Sequence, residues 1–152
     1  MKIGVAVEGI RPATAAGKLA ATIESLGYDS LWTADHLSFS QPILDPFSVL
    51  AIYASRTRRI EIGTGVFVLP LRHPVLVAKQ VASLDWMSGG RFVFGIGVGG
   101  EFPAEFAAAE VPLAERGARA NEAIPILRAL WRGEPPPAEG RFFRIPATRI
   151  DP

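Results

Sequence analysis

The stretch Ser30-Leu31-Trp32-Thr33-Ala34-Asp35-His36 reads as a short strand that carries an acid and an imidazole to its carboxyl end. Upstream, Ile3 to Val7 is a β-branched-rich run that stops at Glu8-Gly9 and reads as a buried strand. Between the two, the period changes to helical: Ala16, Leu19, Ala20 and Ile23 fall at i, i+3, i+4 and i+7, and Gly27 supplies the stop. Downstream, Asp45-Pro46 opens another helix, with Asp as the cap and Pro at the first helical position. Phe47, Leu50, Ala51 and Ala54 form its expected core face.

The unit then repeats. Ile60 to Val68 reads as a strand containing Gly63 and Gly65, and His73-Pro74 precedes a helix carrying Val77, Val81 and Leu84 that ends near Gly89-Gly90. Arg91 to Val98 reads as the fourth strand, followed by an irregular stretch. Glu115 to Arg132 reads as a long helix with Ala120, Ile124, Leu127 and Trp131 on one face, and Pro125 is expected to kink or split it. Residues 133–137 form a stiff proline connector, and Arg141 to Ile145 is expected to make a short strand. Strand starts near residues 2, 30, 60 and 91 recur at roughly the length of one βα unit. Strands alternating with helices require a parallel sheet. A doubly wound open sheet and half of a (β/α)₈ barrel both satisfy that pattern, and periodicity does not separate them.

Composition narrows the function. The 152 residues are 49% apolar, enough for a real core, and 16 Lys+Arg stand against 15 Asp+Glu. That balance offers no basic stripe for nucleic acid and no polybasic membrane patch. Without cysteine there is no disulfide framework, thiolate metal site or cysteine nucleophile, and two distant histidines, His36 and His73, make no metal cage. The opening apolar run is too short for a signal peptide or a membrane span, so a soluble cytoplasmic domain is expected.

Both architectures place ligands at the carboxyl ends of strands. Glu8 there is more simply a solvated loop acid. Asp35-His36 provides an acid to orient a polar ring edge and an imidazole able to donate or move a proton; a loop-tying pair is the structural alternative. The third strand ends in Thr64-Gly65-Val66, small residues where backbone can approach a ligand or where a bulge simply bends the sheet. His73, before Pro74, is expected to cap or pack. Gly95, Gly97 and Gly100 match G-x-G-x-x-G, but the run follows the fourth strand and opens no clean helix at Glu101-Phe102-Pro103, which argues against a dinucleotide fingerprint. Gly97-Val98-Gly99-Gly100 could instead present backbone N–H groups to a phosphate, or pack tightly on a neighbour. No nucleophile elbow, Walker motif or carboxylate cluster occurs.

Taken together, residues 30–36, Arg59 to Val66, Pro70 to Pro74, Leu84 to Arg91 and the glycine run 95–100 resemble the luciferase-like monooxygenases, most closely the branch using the deazaflavin coenzyme F420. Glu115-Arg116-Gly117 and residues 130–135 follow the same pattern. The resemblance implies a (β/α)₈ TIM barrel and a flavin- or F420-dependent oxidoreductase, transferring hydride or inserting oxygen, with F420 favoured over FMN. His36 would be the catalytic residue beside the ring, with Asp35 binding it; Thr64, Gly65 and Val66 would lie behind the ring, where relatives often have a non-prolyl cis peptide; and Gly97, Val98, Gly99 and Gly100 would meet the cofactor phosphate. No metal is implied. Gly100 stands where relatives often carry a larger side chain, and Pro125 lies in a helix they keep continuous. A full barrel needs about 250 residues. Residues 1–152 therefore correspond to the N-terminal half of such a domain, about four βα units, with 133–152 as linker and incomplete tail. A homo-oligomer or association with a complementary half barrel would cover its unpaired edges; a catalytically inactive binding module is the alternative.

Overall fold

The computed structural model describes residues 1–9 and 11–151. The chain runs β1 (Gly4–Ala6), α1 (Ala13–Ser25), β2 (Ser30–Thr33), α2 (Pro46–Arg56), β3 (Glu61–Thr64), β4 (Phe67–Val68), α3 (Pro74–Ser88), β5 (Phe92–Val93), β6 (Ile96–Gly97), α4 (Pro103–Ala108) and α5 (Arg116–Trp131). It divides into two compact units: Met1–Phe67 with Leu84–Ile96, and Val68–Ser83 with Gly97–Pro152.

In the first unit β1, β2, β3 and β5 form a parallel sheet in that order. Each new strand adds to the same side of its predecessor, with no reversal. A doubly wound sheet requires such a reversal, and a barrel forbids it. The arrangement is therefore half of a (β/α)₈-type barrel.

Register divides the sheet into two unlike faces. Val5 stands beside Leu31, Leu31 beside Ile62 and Ile62 beside Phe92. This row packs on Ala16, Ala20 and Ile23 of α1 and on Val49, Leu50, Tyr53 and Ala54 of α2. Leu31, Leu50, Ile60 and Ile62 are wholly buried, so truncating any one to Ala should cost about 2–5 kcal/mol. The row on the opposite face is Ala6, Trp32, Gly63 and Val93, mostly small residues around one indole.

Polar staples hold the helix–strand joints. Asp45 caps α2, accepting from the Ser48 N–H at 2.9 Å. The Glu24 carboxylate accepts from the N–H groups of Arg58, Arg59 and Ile60 where the chain enters β3. Its burial alone would raise the pKa, but those three N–H groups and the Arg59 guanidinium hold it below the ordinary value. Arg91 donates to the carbonyls of Ser88, Ile60, Ala54 and Thr57 and to the Thr57 hydroxyl. Arg91 thus ties α2, β3 and the end of α3 to β5; burial draws its pKa down, yet it stays a cation.

The second unit contains α4 and α5, a small core of Val68, Phe106 and Val111, and the buried face of α5. Residues 141–143 lie against α5, where the Glu122 carboxylate accepts their three successive N–H groups. Arg119 stacks over Phe142 and Phe143, 5.1 and 5.3 Å from the ring centroids.

Several expectations are corrected. The strand 60–68 is two pieces, β3 and β4, broken at Gly65-Val66; the strand 91–98 is likewise β5 and β6. The second break falls at Phe94, whose ring turns to pack on Phe47, Phe67 and Phe92. Helix α4 replaces part of the irregular stretch, started by Pro103 at its first position with Glu105 in its first turn. α5 runs through Pro125 as one helix; Pro125 is on the exposed side, where water can meet the carbonyl it leaves unpaired. Its buried residues are Ala120, Ala123, Ile126, Leu127, Ala129 and Leu130, while Trp131 is 41% exposed and donates its indole N–H to the Ala78 carbonyl. Around Arg141–Ile145 there is no strand but an isolated antiparallel bridge between Glu139 and Arg144.

Candidate functional site

In the first unit, Thr33 of β2 stands opposite Thr64 of β3. Asp35-His36 and Gly65-Val66 therefore leave the sheet side by side, from the carboxyl ends of adjacent parallel strands. Asp35 is buried, 2% exposed, and His36 is half-buried with its ring stacked on Phe39 at 4.3 Å. The Thr64 side chain points the other way. Its hydroxyl is fully buried and donates to the Gly95 carbonyl at 2.7 Å.

The Gly65 N–H donates to the Thr33 carbonyl at 2.9 Å, and the peptide linking Gly65 to Val66 is cis. Val66 emerges 47% exposed. The next N–H, that of Phe67, returns to the same Gly95 carbonyl at 2.8 Å. Gly95 thus clamps the strand tip from both sides of the turn. A Cβ there would lie 2.2 Å from the Thr64 carbonyl oxygen, so only glycine fits. The first glycine of the sequence motif is a packing requirement.

Gly97 to Gly100 lie in the second unit. Gly99 (φ 61°) and Gly100 (φ 115°) have left-handed backbone, which glycine adopts at low cost. Added Cβ atoms would meet Val68 at 2.7 Å from Gly99 and the Arg116 guanidinium at 2.8 Å from Gly100. These glycines therefore have an internal reason, independent of any ligand. The small residue at Gly100 makes room for Arg116, whose Nη1 donates to the Leu113 carbonyl at 3.0 Å.

His73 caps and packs, as expected. Its Nδ1 accepts the Val75 N–H at 3.3 Å in the first turn of α3, and its ring meets Phe143 edge-on at 5.6 Å. It borders an open cavity of about 390 Å³ that Arg144 and Thr148 also line. Among the described residues no three His, Asp or Glu side chains converge on a metal position, and no helix is long and apolar enough to cross a membrane.

Two residues central to this architecture were not singled out for it from sequence. Arg91 looked like an ordinary strand start, though an arginine directly after Gly89-Gly90 was the available signal. Trp32 looked like one apolar residue of a strand. Its small neighbours Ala6 and Gly63 reveal its place only through the register.

Residues 2–152 match the family described as luciferase-like monooxygenase. The chain belongs to that family. Its relatives include 4-hydroxyprotoasukamycin monooxygenase of Streptomyces nodosus subsp. asukaensis, 36% identical over 78% of this chain and 32% of the relative. An F420-dependent glucose-6-phosphate dehydrogenase of Nakamurella multipartita is 35% identical over 87% of this chain and 41% of the relative. Among solved structures, the monooxygenase RslO1 from Streptomyces bottropensis superposes with a TM-score of 0.86 at 31% identity, covering 95% of this chain and 47% of that one. Other relatives of this luciferase-like chain are named as flavin-dependent or F420-dependent enzymes. The chain spans about a third to a half of the length of the curated relatives it matches.

Proposed function

We propose that this chain forms the cofactor-side wall of a flavin- or F420-dependent oxidoreductase acting on a small organic substrate, with F420 as the favoured cofactor. The carrying observation is the pair of adjacent strand tips, Asp35-His36 and Gly65-Val66. An imidazole and a side-chain-poor strand end, side by side, suit a flat conjugated ring whose edge needs a hydrogen bond. In this reading His36 donates to, or moves a proton at, the ring edge, and the buried Asp35 holds a polar edge of the cofactor in place. Thr64, Gly65 and Val66 support the ring from behind. Gly97, Val98, Gly99 and Gly100 present backbone to the cofactor phosphate. The cofactor itself would supply the hydride or electron chemistry. Within the sheet β1 and β5 have one neighbour each, so the reading adds a complementary half barrel or a second copy to cover those edges.

Titration of the purified chain with F420 and with FMN, followed by cofactor absorbance and fluorescence, tests the reading. Binding of F420 at lower concentration than FMN is expected. In the assembled enzyme His36→Ala should slow cofactor turnover by about 100-fold, the usual scale of general acid–base assistance, with Kd nearly unchanged. Equal losses in both would make His36 a binding residue. Failure to bind either cofactor would overturn the reading.

A further inference from the structure

The inward face of the sheet is dominated by one side chain. Trp32 stands beside Ala6 of β1 and Gly63 of β3, and its ring reaches back along β1 to Gly4, where a side chain would meet both the indole and the Ser30 hydroxyl that holds it. A Cβ on Gly4 would come within 2.8 Å of Trp32 Nε1, and one on Gly63 within 2.5 Å of Cζ3 and 2.7 Å of Cε3. The five-membered edge of the indole therefore sits over β1 and the six-membered edge over β3. The ring is laid flat across neighbouring strands. Its Nε1–H is fixed by the Ser30 hydroxyl at 2.8 Å, which pins its direction.

A flat indole in that position has one face on the backbone and the other turned away from the sheet; Trp32 is accordingly half-buried. Barrel interiors are ordinarily filled by layers of branched side chains. Here the same layer holds Ala6, Gly63 and Val93, none of which can cover the ring. Gly65, the first residue of the cis peptide, lies two residues further along the direction of β3: its Cβ position is 3.7 Å from Trp32 Cε3. The indole thus runs directly beneath the strand tip, and a planar aromatic surface is what a planar conjugated ligand stacks on.

We propose that Trp32 is the aromatic floor of the ring site, in contact with the conjugated ring of the cofactor. The proposal rests on the function proposed above and adds a contact residue to it. Gly4 and Gly63 gain a stated role: they keep the indole flat.

FMN is the probe, because its fluorescence is lost to electron transfer when an indole touches its ring. Wild-type chain should darken bound FMN. Trp32→Phe should keep the affinity but restore the emission, since phenylalanine is a poor electron donor. Trp32→Ala should raise Kd about 10-fold or more, the usual loss when an aromatic platform is removed. Trp86→Phe and Trp131→Phe should leave bound FMN as dark as in wild type. A nuclear Overhauser contact between Trp32 indole protons and FMN ring protons gives a variant-free measurement on the wild-type chain. If FMN binds without that contact, or if Trp32→Phe stays dark, the proposal falls while the cofactor reading stands. If neither FMN nor F420 binds wild-type chain, both fall together.

Discussion

Each unit uses one glutamate in the same way, and the consequences differ. Glu24, from α1, and Glu122, from α5, each accept three successive backbone N–H groups, those of residues 58–60 and 141–143. Glu24 serves a segment that continues into β3, paired on both sides within the sheet and packed through Ile60 and Ile62 into the core. Glu122 serves a segment that belongs to no strand and is flanked by one isolated bridge, Glu139 with Arg144. The same electrostatic device reinforces a strand in the first case. In the second it stands in for one, helped by Arg119 stacked on Phe142 and Phe143. A carboxylate that gathers consecutive N–H groups satisfies donors that would otherwise need a partner strand.

The contrast can be broken by substitutions, the largest effect first. Arg91→Lys should destabilise the first unit by about 3 kcal/mol in urea unfolding, because an ammonium cannot reproduce a planar fork that reaches five acceptors. A loss below that of Glu24→Gln would show that the hydrogen bonds of Arg91 are redundant. Glu24→Gln should cost about 2 kcal/mol, since the neutral amide offers one acceptor oxygen where the carboxylate offered two charged ones.

Glu24 also sets a pH window. Its folded pKa is lowered, so its stabilisation is complete above the ordinary glutamate value and is lost as pH falls through the folded one. The acid limb of the stability profile should flatten in Glu24→Gln; an unchanged limb would place the acid sensitivity elsewhere.

The smallest global effect belongs to Glu122→Gln, under about 1 kcal/mol, because the segment it holds can detach without opening the helical core. Its effect should be local instead, as faster hydrogen exchange at the amides of 141–143. Gly140→Ala should reproduce it, because the added Cβ would sit 1.9 Å from the Glu122 carboxylate. A global loss matching that of Glu24→Gln would make the two units alike after all.

Much of the fold was readable before the structure. The strands expected near residues 2, 30, 60 and 91 appear as β1, β2, β3 and β5, and the caps at Asp45-Pro46 and His73-Pro74 are where their chemistry places them. The errors concern phase and continuity. Val49 and Tyr53, not Phe47 and Ala51, are the fully buried partners of Leu50 and Ala54 on α2, because that helix is apolar on most sides and the period alone does not fix which side faces inward. α4 is too short for any period to show. For the candidate site, Asp35-His36 and Thr64 to Val66 were legible as strand ends. That they leave adjacent strands was not, since pairing joins residues about thirty positions apart.

The alternation of strand and helix, the glycine positions and the family are written in neighbouring residues and local spacing, and were legible there. The direction in which the strands add, and with it the choice between an open sheet and a barrel, came from pairing between distant segments. Tertiary packing also puts Trp32 and Ser30 against Gly4, Trp32 and the Val93 carbonyl against Gly63, Thr64 against Gly95 and Arg116 against Gly100. The physical reason is the same in each case. A missing side chain declares a close approach, but the atom that approaches comes from a distant part of the chain.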